Sequence, residues 1–129
     1  MWASVYGHTT CAQLLLDAKA HIEAKDYNGF TAFSWAVLRA HSSCAQLLID
    51  AKADIEATCE FGCTALVLAS HDGHNSAVQF LLDARANIES RTDSGRTALL
   101  AAATKGNTVC VWSCLWLRRR DLTREMMVT

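Results

Sequence analysis

Four side chains near the middle of the chain are of the types that bind zinc: Cys59, Cys63, His71 and His74. Thiolate sulfur and imidazole nitrogen lie about 2.0 to 2.3 Å from a shared zinc ion. The residues between Cys63 and His71 have a helical pattern, however, and a rise of about 1.5 Å per residue separates these two side chains by roughly 10 Å. The spacing therefore argues against a metal centre, and we expect neither a metal nor another cofactor.

A second candidate for chemistry is a pair of thiols, Cys110 and Cys114, which lie one turn apart on a predicted helix, close in sequence to Arg118 and Arg119. A neighbouring positive charge lowers the pKa of a thiol and makes it more reactive. One hypothesis is therefore a redox-sensitive pair. The alternative, which we favour, is that both cysteines fill small or apolar positions of a repeating helix.

The sequence shows no recognisable catalytic motif: we find no nucleophile–base pair, carboxylate dyad or glycine-rich phosphate loop. Asp17, Asp50 and Asp83 are spaced 33 residues apart, so they recur because a longer segment recurs. We predict that the protein is not an enzyme.

That segment is an internal repeat of 33 residues. Residues 26–58 and 59–91 share thirteen identical positions without a gap. The register continues outside them, since CAQLLLDAKAHIEA at 11–24 corresponds to CAQLLIDAKADIEA at 44–57. A fixed period of this length indicates a solenoid, whose units gain a hydrophobic core only by stacking on one another.

The repeat resembles the ankyrin repeat, in which Asp-x-x-Gly-x-Thr-Pro-Leu-His-x-Ala precedes Gly-His, a leucine-rich helix and Gly-Ala-Asp-Val-Asn. Here DYNGFTAFSWA, AH, CAQLLID and KADIEA stand at those places. The resemblance implies an all-α, ankyrin-like helix-turn-helix solenoid of about four stacked repeats. We interpret residues 1–129 as one domain, with a partial unit at about 1–25, complete units at 26–58 and 59–91, a divergent unit at 92–125 and a frayed tail at 126–129.

Three sets of repeated positions predict the local backbone. Turn glycines supply a positive φ, and threonines at helix starts accept a hydrogen bond from a first-turn N–H. Basic residues stand where the family usually has a left-handed glycine. In the left-handed conformation each of them costs about 1 kcal/mol relative to glycine. These sets are Gly29, Gly62 and Gly95; Thr31, Thr64 and Thr97; and Lys19, Lys52 and Arg85. The family's Pro and His after the threonine are absent, and we expect weaker side-chain ties between repeats. His8, His41 and His74 share one position, at which we expect the ring to tie the turn between two helices.

The second helix of each unit has a polar stripe, formed by a Gln and an Asp four residues apart. Its buried face in the second unit is predicted at Ala45, Leu48 and Ile49. Cys11, Cys44 and Cys110 share one position, where the third unit has alanine, so we expect small buried side chains. Equivalent helices stack about 8 to 10 Å apart, too far for a disulfide, and free thiols favour a reducing compartment.

Both ends depart from the repeat. Trp2 falls in the position of Trp35, so the first unit lacks its loop, and we expect the first helix of the second unit to be partly uncovered. After Val111 the repeat pattern changes. We interpret residues 113–120 as a rewritten last helix, for which a shifted reading frame is one hypothesis. Residues 121–123 resemble the segment 87–89 of the preceding unit, displaced by one position.

Composition narrows the class of protein. The chain is 51% apolar, which is enough for one hydrophobic core. Its net charge of −1 gives no strong attraction to nucleic acid or to an acidic membrane, and we expect neither as a partner. The N-terminus lacks the basic and apolar regions of a secretion signal, and the longest apolar run, 109–117, is about half a membrane span. We expect a soluble, cytoplasmic protein.

The resemblance implies binding of a protein partner on the concave face, through loop tips and inner helices. Tyr27, Phe30 and Phe61 stand at tips that are predicted to face solvent, and aromatic residues of this kind suit the role of interface anchors; the alternative is that they pack against neighbouring loops. Carried over position by position, this face contains Tyr27, Asn28, Phe30, Leu38, Arg39, Glu60, Phe61, Cys63, His71, Asp72, Asp93, Ser94, Arg96, Thr104 and Lys105. The alternative is a structural spacer or fragment of a longer scaffold that binds nothing itself. For the chain alone we expect a monomer or weak end-to-end association.

Overall fold

The computed structural model describes residues 1–116. These residues form eight helices and no strand: α1 (Trp2–Val5), α2 (Thr9–Asp17), α3 (Ala32–Leu38), α4 (Ser42–Asp50), α5 (Ala65–Asp72), α6 (Asn75–Asp83), α7 (Ala98–Lys105) and α8, helical over 108–116. The helices follow one another in four pairs. The predicted all-α helix-turn-helix solenoid is confirmed.

The first helices of the units stack into one row, in which α1 contacts α3, α3 contacts α5, and α5 contacts α7. The second helices lie beside them, with α4 against α3, α6 against α5, and α2 against α4. Phe33, Leu66, Leu81 and Leu82 are the largest of the fully buried apolar side chains between these layers. The core is therefore continuous along the stack.

The predicted threonine caps are confirmed, and each satisfies a backbone N–H that the helix itself leaves unpaired. Thr31 Oγ1 accepts from the backbone N–H of Ser34 at 3.3 Å. Thr64 and Thr97 do the same for the third residue beyond them, at 3.4 and 3.3 Å. The alanine that replaces the family's proline therefore leaves the start of the helix intact.

The predicted left-handed residues are also confirmed, because Lys19, Lys52 and Arg85 have φ values of 60°, 69° and 64°. The structure adds a fourth case that the repeat pattern did not reveal, Ala40 with φ 61°. Its equivalents in the other units, Gly7, Gly73 and Gly106, are all left-handed glycines. At this turn the second unit therefore has alanine where the other three units have glycine.

The side chain after that turn links neighbouring repeats. His41 Nε2 lies 2.9 Å from the carbonyl oxygen of Val5 in the preceding unit. Asn107, the equivalent residue in the last unit, donates from Nδ2 to the carbonyl oxygens of Ser70 and His71 at 2.8 and 2.9 Å. Within residues 1–116, His74 makes no such bond to the preceding unit; its Nε2 lies 4.0 Å from Asp72 Oδ2.

A second link between repeats comes from the glutamates near the ends of the first and second units. Glu23 Oε1 accepts from the backbone N–H of Asp54 at 2.8 Å. Glu56 Oε1 accepts from the backbone N–H of Asn87 at 2.7 Å, and its Oε2 accepts from Ser90 Oγ at 3.1 Å. Side-chain ties between repeats therefore exist without the family's Pro and His.

The apolar surface left open at the N-terminal end lies on α1, at Trp2 and the following Tyr6, and on α2 rather than mainly on α3. Because α1 packs against α3, the side chains of Phe33, Ala36 and Val37 are buried. On α2, Leu14 and Leu15 are exposed. The prediction of a buried Cys11 was wrong, because α2 has neighbours only on part of its surface; Cys44 and Cys110 at the same repeat position are buried, as predicted.

The last described helix, α8, begins at 108 and forms in spite of the changed sequence. The rest of the predicted rewritten helix, the displaced segment 121–123 and the tail 126–129 lie outside the described residues. Among the helices of residues 1–116, none combines the length and the apolar character needed to cross a membrane.

Candidate functional site

The loops between units are hairpins with the same hydrogen-bond pattern. In the first, Asp26 N–H donates to the Phe30 carbonyl oxygen at 3.0 Å, and Gly29 N–H donates to the Asp26 carbonyl oxygen at 3.0 Å. Gly29 has φ 82°, which matches the left-handed residue of a three-residue hairpin loop. The pattern recurs at 59–63 and 92–96. We call these the first, second and third hairpins.

Backbone hydrogen bonds join the hairpins into a row. Glu60 N–H donates to the Asn28 carbonyl oxygen at 3.1 Å, and Asp93 N–H donates to the Phe61 carbonyl oxygen at 3.2 Å. The approach is close, since a Cβ on Gly29 would lie 2.8 Å from the backbone nitrogen of Glu60. Predicted site residues from three units are therefore brought side by side on fixed backbone.

Asp26 holds the first hairpin rigid. Its Oδ1 accepts from the backbone N–H groups of Asn28 and Phe30, both at 2.9 Å, and its Oδ2 accepts from Trp35 Nε1–H at 2.8 Å. Burial raises the pKa of Asp26, but the bonds from Trp35 and from the backbone of Phe30, Asn28 and Gly29 outweigh it and lower the pKa overall. The ionised carboxylate thus ties the hairpin to α3.

The aromatic residues of the hairpins differ in exposure. Tyr27 and Phe61 are fully or largely exposed, at 104% and 71%. For Phe30 the structure shows inward packing rather than exposure, because its ring is half-buried and packs on Trp35, with the centroids 5.0 Å apart. The guanidinium carbon of Arg39 lies 5.6 Å from the Trp35 centroid, in a cation–π contact. Two tips therefore project, and one aromatic ring supports the hairpin.

Most of the other predicted site residues are exposed: Asn28, Arg39, Glu60, Asp72, Asp93, Ser94, Arg96, Thr104 and Lys105. His71 is half-buried at the end of α5, with Nδ1 2.9 Å from Asp72 Oδ1. Cys63 is half-buried at the base of the second hairpin. Leu38 is half-buried and packs against the core, so its side chain contributes more to the stack than to an open surface.

Sequence reasoning missed the roles of Asp26 and Trp35, which it treated as a turn residue and a repeat position. In the next unit the equivalent residues are Cys59 and Leu68, so the contact between carboxylate and indole belongs to one unit only. The available signal was the joint occurrence of Asp and Trp nine residues apart in that unit.

The hypothesis of a redox-sensitive pair at Cys110 and Cys114 is not supported, because both side chains are buried. Burial raises the pKa of both thiols, that of Cys114 to about 11. This is the opposite of the lowered pKa that a reactive thiol requires. Arg118 and Arg119 lie outside the described residues.

The zinc candidates are also separated. Cys59 and Cys63 form the base of the second hairpin, where the Cys59 N–H donates to the Cys63 carbonyl oxygen at 2.9 Å. In the part of the chain that the structure describes, no group of three or more His, Cys, Asp or Glu residues is placed to hold a metal ion. A small recess lined by residues of α3, α4 and α6 measures about 10 Å³, about the space that one water molecule needs.

The stacked helix pairs and the row of hairpins place the chain among the helical-repeat solenoid proteins. Residues 51–117 match the family model described as ankyrin repeats (3 copies), and residues 1–49 match a second model, ankyrin repeats (many copies). The chain belongs to the ankyrin-repeat family. No curated protein matches it. Ankyrin repeats are generally non-catalytic modules of protein–protein interaction.

Proposed function

We propose that this chain is a non-catalytic module that binds a protein partner through the concave face formed by its hairpin tips and first helices. The observation that carries the proposal is the exposure of Tyr27 and Phe61 on two successive hairpins. Large aromatic side chains supply much contact area at little entropy cost, and they are enriched among the residues that dominate binding energy.

The rigidity of the hairpins supports the same proposal. Each is closed by backbone hydrogen bonds, and the bond from Glu60 to Asn28 fixes the first against the second. Asp26 adds three side-chain hydrogen bonds within its unit. A surface that is ordered before binding loses little conformational entropy when the partner docks. Affinity then comes from a few anchors on a preformed face.

Charged residues of both signs surround these anchors. Glu60, Asp93 and Asp72 are acidic, whereas Arg39 and Arg96 are basic, and all five are exposed. A mixed rim of this kind contributes orientation and specificity rather than strong long-range attraction. It fits a protein partner with its own mixed charges better than a polyanion.

The test is capture of partners from a soluble extract, with three folded forms of the chain compared by quantitative mass spectrometry. The tip variant carries Tyr27→Ala and Phe61→Ala. The control carries Trp112→Ala on α8, a side chain as exposed as Phe61, at 71%. Circular dichroism and urea unfolding first establish that all three are equally folded.

We expect a specific partner to be held by the native chain and the control, and its affinity for the tip variant to fall at least tenfold, as expected for loss of two anchors. Equal capture by the tip variant and the native chain would contradict the proposal. Loss of capture only with the control would move the site to α8.

A second candidate function, a spacer within a longer repeat scaffold, is favoured by the surface of α2. Leu15 is 49% exposed, whereas its repeat equivalents Leu48 and Leu81 are 3% and 0% exposed. Those equivalents show how a repeat covers this position, so a further ankyrin unit is the occupant that fits. Stacking of a second copy of the chain provides the test.

Sedimentation velocity over a range of concentrations measures that stacking. The spacer hypothesis predicts association that grows with concentration and is abolished by Leu15→Lys, while Lys19→Gln on the same unit leaves it unchanged. A native chain that stays monomeric throughout, or association that Leu15→Lys does not affect, would contradict it.

A further inference from the structure

The second hairpin is closed by two cysteines. Cys59 N–H donates to the Cys63 carbonyl oxygen at 2.9 Å, and Gly62 N–H donates to the Cys59 carbonyl oxygen at 3.0 Å. Residues that lie opposite each other across an antiparallel hairpin have Cα atoms about 4.5 to 5.5 Å apart. That separation falls within the window of about 4.4 to 6.8 Å that the Cα atoms of disulfide-bonded cysteines usually span.

The two thiols also lie near each other. Cys59 is close enough to contribute to the raised pKa of the Cys63 thiol, and Cys63 Sγ lies 4.0 Å from the carbonyl oxygen of Phe61 at the tip. Both residues are half-buried, so small molecules in solution reach them. The equivalent pairs in the other hairpins are Asp26 with Phe30 and Thr92 with Arg96, which makes the dithiol a property of the second hairpin alone.

The remaining cysteines do not offer the same arrangement. Cys44, Cys110 and Cys114 are buried, and Cys11 is exposed without a second thiol on its own loop or helix. Thiol exchange needs access to a sulfur as well as a nearby partner. Within residues 1–116, only Cys59 and Cys63 combine both.

We propose that Cys59 and Cys63 form a reversible disulfide by exchange with a low-molecular-weight disulfide, for which oxidised glutathione is the probe. The bond links the two ends of the hairpin that presents Phe61. This modification site lies at the base of one hairpin of the proposed binding face, but the exchange does not depend on partner binding and holds whether or not that binding is found.

The exchange proceeds in two steps. The thiolate of Cys59 attacks one sulfur of the glutathione disulfide, forms a mixed disulfide and releases one glutathione thiolate. The Cys63 thiol then loses its proton, attacks Cys59 Sγ and releases the second glutathione thiolate. The two protein sulfurs are oxidised by two electrons, one glutathione disulfide is reduced to two thiols, and the two thiol protons end on glutathione.

The charges around Cys63 assign it the second step. Burial raises its pKa to about 11, and Cys59 and the Asp93 carboxylate contribute to the rise. Little of Cys63 is therefore thiolate near neutral pH, so Cys59 makes the first attack. Asp93→Asn removes one of these contributions, and each unit by which the Cys63 pKa falls increases its thiolate about tenfold.

The experiment exposes the folded full-length chain to oxidised glutathione, quenches free thiols by alkylation and maps the linked peptides by mass spectrometry. We expect a chain two hydrogens lighter, with Cys59 joined to Cys63, that returns to the free thiols with a reductant. Cys63→Ser should stop at a mixed disulfide on Cys59. Cys11→Ser is the matched control and should form the 59–63 bond at the native rate.

Kinetics provide a second readout that folding defects do not imitate. Asp93→Asn should shorten the lifetime of the mixed disulfide several-fold while leaving its rate of formation nearly unchanged. The proposal is overturned if the native chain accumulates an unresolved mixed disulfide. It is equally overturned if Cys11 is linked in preference, or if the hairpin thiols react only after unfolding.

Discussion

Ala40 offers a sharp test of how the repeats are tied together. It has the left-handed φ of 61° that Gly7, Gly73 and Gly106 adopt in the other units. A Cβ added at Gly7 would lie 2.7 Å from His41 Nδ1, and one at Gly73 would lie 2.9 Å from Asn107 Oδ1. By equivalence, the Cβ of Ala40 lies where it obstructs the side chain of the next unit, His74.

This obstruction accounts for the orientation of His74. His41 and Asn107 both reach a carbonyl oxygen of the unit before them, while His74 is half-exposed, with Nε2 4.0 Å from Asp72 Oδ2. Ala40→Gly removes the Cβ, so we expect the ring to turn inward and bond the Leu38 carbonyl oxygen, the equivalent of Val5.

Two contributions set the magnitude for Ala40→Gly. Left-handed alanine costs about 1 to 2 kcal/mol, of which about 0.4 to 1 kcal/mol is offset because glycine makes the unfolded chain more flexible. The new hydrogen bond adds about 0.5 to 1.5 kcal/mol. We therefore expect the free energy of unfolding to rise by about 1 to 2 kcal/mol, and the melting temperature by several degrees.

Urea unfolding of four forms separates the two contributions: the native chain, Ala40→Gly, His74→Ala, and the double variant. His74→Ala should cost little with Ala40 present and about 0.5 to 1.5 kcal/mol once Ala40→Gly is made, which is a measurable coupling. A lower stability for Ala40→Gly would refute the strain. Equal costs of His74→Ala in both backgrounds would refute the obstruction.

Three further changes test the fold. Lys52→Gly should raise the free energy of unfolding by about 1 kcal/mol because Lys52 is left-handed; a lower melting temperature would contradict this. Leu48→Ala should lower it by roughly 2 to 5 kcal/mol through lost burial and a cavity, which urea unfolding measures against the exposed control Gln46→Ala; similar values would contradict it. The folded pKa of Asp26 is depressed, so its contribution is present above its ordinary value of about 3.9 and is lost as pH falls through the folded pKa. Urea midpoints near pH 6 and pH 2 to 3 should therefore differ more for the native chain than for Asp26→Asn, and equal differences would exclude this role for the carboxylate.

The repeat made much of the fold predictable, because each local rule appears several times in the sequence. Thr31 recurs as Thr64 and Thr97, and all three cap a helix. Positive φ at Gly29 and Lys52 follows from equally local requirements. Such features depend on the few residues around them, so the sequence alone contains the information.

Features that depend on a neighbour or on one unit were not predictable in this way. Cys11 repeats Cys44 in sequence, yet it is exposed because burial of this position requires adjoining helices. Phe30 turns inward because Asp26 and Trp35 occur together in its unit alone. Repeat equivalence identifies which positions correspond, whereas tertiary contacts decide what each side chain does there.

Exposure of the hairpin tips was predictable from the sequence, whereas the contacts at the bases of the hairpins were not. Hairpin tips were expected to be open, and Tyr27 and Phe61 are. The proximity of Cys59 to Cys63 was not recognised from the sequence, because the two were considered only as part of a four-ligand zinc site. The other two candidate ligands, His71 and His74, lie outside the hairpin. A hairpin closed by a three-residue loop brings its end residues together by backbone geometry, which spacing in sequence does not make evident.

Binding of a protein partner to the row of hairpin tips is tested most directly by hydrogen–deuterium exchange of the chain with and without its captured partner. Because hydrogen-bonded amides are protected even without a partner, side-chain labelling reports on the same positions independently. We expect protection at residues 27–30, 60–63 and 93–96, with α4 and α6 unchanged along the stripe of Gln46, Asp50, Gln79 and Asp83. Protection confined to α4 and α6, with the hairpin tips unaffected, would contradict it.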